Sequence, residues 1–254
     1  FTFRDYENFK ATNQGIYQDF SLDLFLQSTI LDAYALGGGL QIENVDINST
    51  FDLGNITEMN RSYINYYGFI DFDSFDDAYF PKRGFQLQAQ YRLIAEREGF
   101  EVFRQPSSII NLEFNKAVSL GKSVSLIGRF YGASTLGPDL DFPYKIHLGS
   151  LGRKYINNIQ PFIGYRFMEI TGRNALTARG DVFYQFLKNH YLVGRYNLGK
   201  LEPTFDDLFV SRILVDGYSL GYCFNSPVGP LELNVIGSSN HSNVYTYVNL
   251  GFWF

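Results

Sequence analysis

Apolar residues recur at every second position in a dozen stretches of this chain. The clearest is 85–93, where Phe85, Leu87, Ala89, Tyr91 and Leu93 alternate with Gln86, Gln88, Gln90 and Arg92. Strand side chains point alternately to the two faces of a sheet, so this period of two predicts a strand with one apolar and one polar face. The same pattern marks 19–27, 62–72, 109–120, 123–132, 176–186, 191–198, 218–224, 231–236 and 246–254. A glycine-rich version runs over 35–47 and a weaker one over 1–9, which makes about twelve strands, with no helix of note and no domain boundary within 1–254.

The links between these strands differ in length. Gly121-Lys122, Lys188-Asn189 and 227–230 are short, whereas 46–60 is polar and long, and the alternation lapses for about forty residues after Ser134. The turn 76–84 is punctuated by Pro81 and Gly84. Short turns on one side and longer loops on the other are expected of an antiparallel transmembrane barrel. The last stretch supports this reading: Val248, Leu250, Phe252 and Phe254 share one face, and Tyr247, Asn249, Gly251 and Trp253 the other. Such an apolar strand left as an open edge would pair with other chains, and closing the sheet removes the edge.

Composition narrows the choice further. The chain is 45% hydrophobic over 254 residues, yet it lacks the run of about 18 apolar residues that a membrane-crossing helix needs. A helical membrane bundle is therefore excluded. Three glutamines and an arginine on one face of 85–93 make a poor soluble core but suit a watered lumen, with the opposite row against lipid. Arg92, Glu113, Arg129, Arg179, Asp181, Arg195 and Glu232 all fall on inward rows, where they either pair across the lumen or simply solvate it.

The candidate chemistry is sparse. Cys223 is the single cysteine, so no intrachain disulfide forms. A net charge of -5 without clustered Lys and Arg gives no support to nucleic-acid binding. His147, His190 and His241 lack metal-ligand spacing, and no Gly-punctuated loop frames the acids of 71–77 or 139–141 for calcium. No Gly-x-Ser-x-Gly nucleophile elbow is present. No cofactor, metal or catalytic residue is predicted for this chain. Phe1 is not a natural start and no signal peptide opens the sequence, so a longer precursor with an upstream export signal is expected.

Four landmarks in order resemble the outer-membrane assembly-factor (BamA-type) barrel superfamily. They are YFPKRG at 79–84, LGS at 148–150 followed by FIGYRF at 162–167, GRNA at 172–175, and SPVGPL at 226–231. The resemblance covers nearly the whole chain from about Asp19. It implies an all-β outer-membrane barrel of Gram-negative bacteria, with this chain supplying the last twelve of sixteen strands. It also implies a long loop folded into the lumen, and a terminal strand whose Leu250, Phe252 and Phe254 form an assembly signal for the outer-membrane assembly machinery. QPFIGYRF at 160–167 and KNHYLVGRYN at 188–197 look most like the barrel attached to bacterial patatin-like phospholipases, a surface-antigen type of protein whose lipase domain precedes the barrel.

Under that resemblance the chain is a lipid-embedded barrel that anchors or translocates an upstream passenger, with any hydrolase activity residing in the passenger. An insertase for other outer-membrane proteins is the alternative, and a passive porin a third. The sequence departs from the family at one place: Ile163 stands where the loop arginine precedes Gly164-Tyr165, and Arg166 follows two residues after the glycine. Either Arg166 reaches the same lumenal acids from a shifted backbone, or the loop is anchored differently. The first possibility predicts a latch in which Arg166 meets a lumenal carboxylate, with Asp181 and Glu113 the leading candidates, since an Arg–carboxylate pair can be bidentate.

Overall fold

The computed structural model describes residues 2–7, 10–31, 33–49, 59–98, 101–102, 105–151 and 158–251. Its main sheet is antiparallel and runs in chain order through β1 (Thr2–Glu7), β2 (Lys10–Ile30), β3 (Tyr34–Ser49), β4 (Met59–Asp73) and β5 (Gly84–Glu98). A two-residue strand, β6 (Glu101–Val102), pairs back on β5. The sheet continues with β7 (Ser107–Leu120) and β8 (Val124–Leu136). The chain then leaves it for β9 (Ile146–Leu148), β10 (Ile159–Gln160) and β11 (Ile170–Gly172), a separate small sheet with β9 in the centre. It returns as β12 (Asn174–Leu187), β13 (His190–Glu202), β14 (Val215–Ser226), β15 (Gly229–Gly237) and β16 (Tyr245–Leu250).

Each predicted stretch corresponds to one strand of the main sheet, usually a longer one. The clearest case is 19–27, which lies within the 21 residues of β2. Crossing a bilayer takes about 9–11 strand residues, so the hydrogen-bonded ladder runs on into flanks whose side chains no longer alternate. Two one-turn helices were not anticipated: a 3-10 turn at Phe142–Tyr144, and α1 (Asp207–Val210) between β13 and β14.

The sheet curls around residues 137–151 and 158–173. Within that segment Leu140, Tyr144, Ile159 and Met168 pack with Tyr17 of β2, Val45 and Ile47 of β3, Tyr63 of β4, Ile94 of β5 and Ile109 of β7. Its other flank meets β13 through Asn197 and β14 through Gly217. Contact with walls on both sides gives the twelve-stranded arc of a barrel with an occupied interior. Among the described residues β1 and β16 each pair with one neighbour only.

The two rows of each strand separate as the alternation requires. Tyr91, Leu112, Phe114, Leu233 and Leu250 are exposed on the outer surface, and Phe85, Leu87, Val124, Leu126 and Leu231 share their rows. Gln86, Gln88, Gln90, Arg92, Glu113, Arg129, Arg179, Asp181 and Glu232 occupy the opposite rows; Arg92 and Asp181 are buried there. Phe252 and Phe254 lie outside the described residues.

The interior is not watered along its whole height. At the short-turn end the segment 74–83 folds inward, its shape held by Asp76 accepting from the Lys82 and Arg83 main-chain N–H groups and Asp77 from those of Tyr79 and Phe80. The Phe80 ring stacks on Tyr191 at 4.4 Å and meets Phe183 edge-on, among Ala117, Ile127, Val193 and Cys223. Sequence reading assigned 76–84 to a turn; its penetration of the lumen depends on partners from five other strands.

The separation of rows has a direct test. Leu126 pairs with Val182 and Val118, both exposed on the outer face. Leu126→Arg should lower the unfolding free energy in bilayers by about 2–4 kcal/mol, read by denaturant titration in lipid vesicles. Arginine at an inward position such as Gln88 should cost far less.

Candidate functional site: the lumen plug and its charged cavity

Between the folded-in loop and the inward turn lies a cavity of about 340 Å³. Leu151, Pro161 and Phe162 bound it on the loop side and Tyr79 and Phe80 on the other. Its walls carry Glu113, Arg129, Arg179, Asp181, Arg195 and Glu232, six of the inward charges predicted from the sequence. A second cavity, about 220 Å³, is lined by Asp71, Gln88, Gln90, Asn111 and Glu113.

The strand register explains the pairing. Arg179 of β12 stands directly opposite Arg129 of β8, and like charges so placed repel. Asp181, two residues along β12 and 1% exposed, resolves the conflict. It accepts from Arg179 Nε at 2.6 Å and Nη2 at 3.1 Å, and from Arg129 Nε at 3.1 Å. Opposite Asp181 on β13, Arg195 turns to the next strands, with Nη2 2.5 Å from Glu232 Oε1 and Nη1 2.6 Å from Asn234 Oδ1. Asn234 in turn donates to Glu232 at 2.7 Å. Arg92 lies elsewhere, donating to Gln41 at 2.6 Å.

The two carboxylates expected to latch Arg166 are engaged by other residues. Both Asp181 oxygens are occupied by Arg129 and Arg179, and Glu113 accepts from Asn115 at 3.1 Å. Among the described residues no ion pair joins Arg166 to either acid. The Arg166 side chain is exposed, its guanidinium 5.1 Å from the Tyr245 ring centre, and its main-chain N–H donates to Glu169. The reason is local geometry: two residues beyond Gly164 the chain has already turned away from the charged wall toward β16.

On the side of β13 and β14, neutral groups do the anchoring. Ile163, fully buried, donates its N–H to Asn197 Oδ1 at 2.8 Å and accepts from Asn197 Nδ2 at 3.2 Å, so one side-chain amide reads the main chain in both directions. Gly217 of β14 makes room, since a Cβ there would overlap the Ile163 carbonyl oxygen. Gly164 (φ +98°) allows the reversal that follows. His241 Nε2 donates to the Gly164 carbonyl at 2.8 Å, and the Tyr165 hydroxyl donates to Asn240 at 2.9 Å. On the far wall the Tyr144 hydroxyl donates to Glu43 at 2.5 Å beside Asn65, and Asp141 accepts from Arg61 and Tyr63 at 2.7 and 2.9 Å. Asn197 was legible as an inward residue, whereas nothing in the sequence announced its partner. His241, which the sequence showed only to lack metal-ligand spacing, touches the plug directly.

The centre of the plug holds a buried histidine. His147 in β9 is 1% exposed, with Nδ1 2.8 Å from the Thr171 hydroxyl and Nε2 3.0 Å from the Phe142 carbonyl. These contacts suit a neutral ring that donates from Nε2 and accepts at Nδ1. Burial pulls its pKa down to about 4 from 6.5. Glu169, also buried, has its carboxyl pushed above the ordinary range by desolvation.

Comparison with known proteins follows from this geometry. The family profile described as the OMP85 superfamily matches residues 4–254. The chain belongs to the OMP85 superfamily. Similar solved structures include BamA from Haemophilus ducreyi lacking POTRA domains 1–3, with TM-score 0.66 and 11% identity over 93% of this chain and 53% of that one. Another is CdiB from Acinetobacter baumannii, with TM-score 0.57 and 13% identity over 89% of this chain and 39% of that one. At such identities the likeness is one of fold, and this OMP85 chain spans about half or less of the length of those structures. No match was found among curated proteins. As an OMP85 barrel it resides in the bacterial outer membrane.

Two outcomes test the plug. Asn197→Ala leaves the buried N–H and C=O of Ile163 without partners, at about 1–3 kcal/mol for each; hydrogen exchange at Ile163 and protease cleavage within 158–172 should both accelerate. Arg166→Ala should leave them near wild-type values. Acidification gives the second: unfolded histidine binds a proton below about 6.5 and buried His147 only near 4, so anchoring is complete above 6.5 and is lost as pH falls toward 4. The loss is of order 3 kcal/mol at about 1.4 kcal/mol per pKa unit. Glu169 acts in the opposite sense, so the imidazole is isolated by comparing hydrogen exchange of the plug in wild type and His147→Gln between pH 7 and 4.

Proposed function

We propose that this OMP85 barrel anchors or translocates a passenger polypeptide encoded upstream of it, and that the passenger is a patatin-like phospholipase domain. The observation that supports translocation is the Asn197 clamp against Gly217. It binds main chain rather than side chain, so it suits any extended segment that takes the place of Ile163. The plug closes the lumen at rest, which is what a passage for occasional polypeptide rather than steady solute flow requires. The patatin-like assignment is supported by the likeness of 160–167 and 188–197 to barrels of that kind. Hydrolase chemistry belongs to the passenger, since the chain carries no Gly-x-Ser-x-Gly. During biogenesis the terminal strand, through Leu250, Phe252 and Phe254, addresses the barrel to the outer-membrane assembly machinery.

The test uses the full protein in a Gram-negative host. The upstream domain should co-fractionate with the outer membrane, and Asn197→Ala should alter its exposure to protease added to intact cells. Depleting the protein should leave the levels of other outer-membrane barrels unchanged. A general fall in those barrels would instead make it an insertase, and a steady single-channel conductance from the wild-type protein would make it a porin.

A further inference from the structure

β13 and β14 are joined by residues 203–214, which contain α1, and the strand rows fix where this connection lies. Lys200 belongs to the outward row of β13 with Tyr196 and Leu198, both exposed, whereas Asn197 and Gly199 face the plug. Its Nζ nonetheless donates to the carbonyls of Leu208 at 2.9 Å and Ser211 at 2.5 Å. An outward lysine reaches them because the connection folds down over the outer wall instead of across the barrel mouth. Asn174 gives the same answer independently. It lies on the outward row of β12, opposite Glu202 on β13, yet is only 2% exposed, and its amide donates to the carbonyls of Glu202 and Pro203 at 3.2 and 2.9 Å.

Leu208, 3% exposed, faces the protein. Away from the protein point Phe205, Phe209, Val210, Ile213 and Leu214, which are 48–78% exposed. Phe205 and Phe209, four apart, meet edge to face at 5.4 Å and form one apolar surface. Exposed apolar surface concentrated in so short a loop marks a contact. Its occupant follows from continuity, because the wall to which Lys200 ties it continues along the same outward row into Leu198 and Tyr196, which are exposed on the lipid-facing surface. Amphipathic interfacial segments bury their apolar side at the boundary of headgroups and acyl chains and keep charges among the headgroups. Asp206 and Arg212, both exposed, supply such charges here.

We propose that residues 203–214 form an interfacial foot that seats Phe205, Phe209, Val210 and Ile213 in the lipid at the long-loop end of the barrel, beside β12–β14. The foot fixes the depth and rotation of this wall relative to the bilayer, and its ligand is the lipid surface itself.

The full protein in phosphatidylcholine vesicles provides the test. V210C and, separately, I213C are made on a background with the other cysteines changed to serine, and labelled with a polarity-sensitive fluorophore; K122C on a short turn is the aqueous reference. Heat-modifiable electrophoretic mobility checks that each variant is folded. Lipids brominated near the headgroup should quench the labels at 210 and 213 several-fold more than the label at 122, and aqueous iodide several-fold less. Equal iodide quenching at 210, 213 and 122 without lipid quenching would overturn the proposal. Protection from both quenchers would overturn it too, and would assign the surface to a protein partner.

Discussion

A bilayer core offers no water to main-chain N–H and C=O groups, so every strand that crosses it must find its hydrogen bonds on its neighbours. The other features of this barrel depend on that constraint. The antiparallel ladder satisfies the main chain laterally and leaves the side chains free to serve two solvents, with Leu112 and Phe114 turned to lipid and Asn111 and Glu113 turned inward. The polar interior is then a place where charges can sit, provided that they are paired where water is scarce.

The charged wall and the plug divide the work. Asp181 neutralises two arginines that the register would otherwise set against each other, and Arg195 is held by Glu232 and Asn234. These groups link β8, β12, β13 and β15 across the wall. The wall segment nearest Ile163 holds the loop by neutral contacts, through Asn197, His241 and a glycine that lets two main chains touch. The distinction has a consequence for release. Breaking a buried ion pair strands a charge at roughly 3–5 kcal/mol, while a neutral hydrogen bond exchanged for water changes stability by only about 0.5–1.5 kcal/mol. At this wall the loop can let go without stranding a charge, whereas on the far wall its release also parts Asp141 from Arg61.

The outer surface follows the same logic at its rim. The connection 203–214 is apolar on one side and lies against the wall, tied by Lys200 and Asn174. Its position could not be read from its own sequence, which looks like one more acidic loop.

Alternation alone determined the strands, because period two is a local property: it located all twelve, assigned Leu112 outward and Gln88 inward, and placed Asp181 and Arg195 in the lumen. Ordered motifs located the long loop, and the resemblance they carry implied that it turns back into the barrel. Which charges meet was decided only by the tertiary structure, because pairing depends on the register between strands far apart in sequence. Register gave Asp181 to Arg129 and Arg179 and left Arg166 beside Tyr245. The clamp on Ile163 was likewise invisible, since an asparagine on an inward row reads the same whether it faces water or a main chain 34 residues away. A single strand carries its own faces in its sequence; what those faces touch is set by the closure of the sheet around the plug.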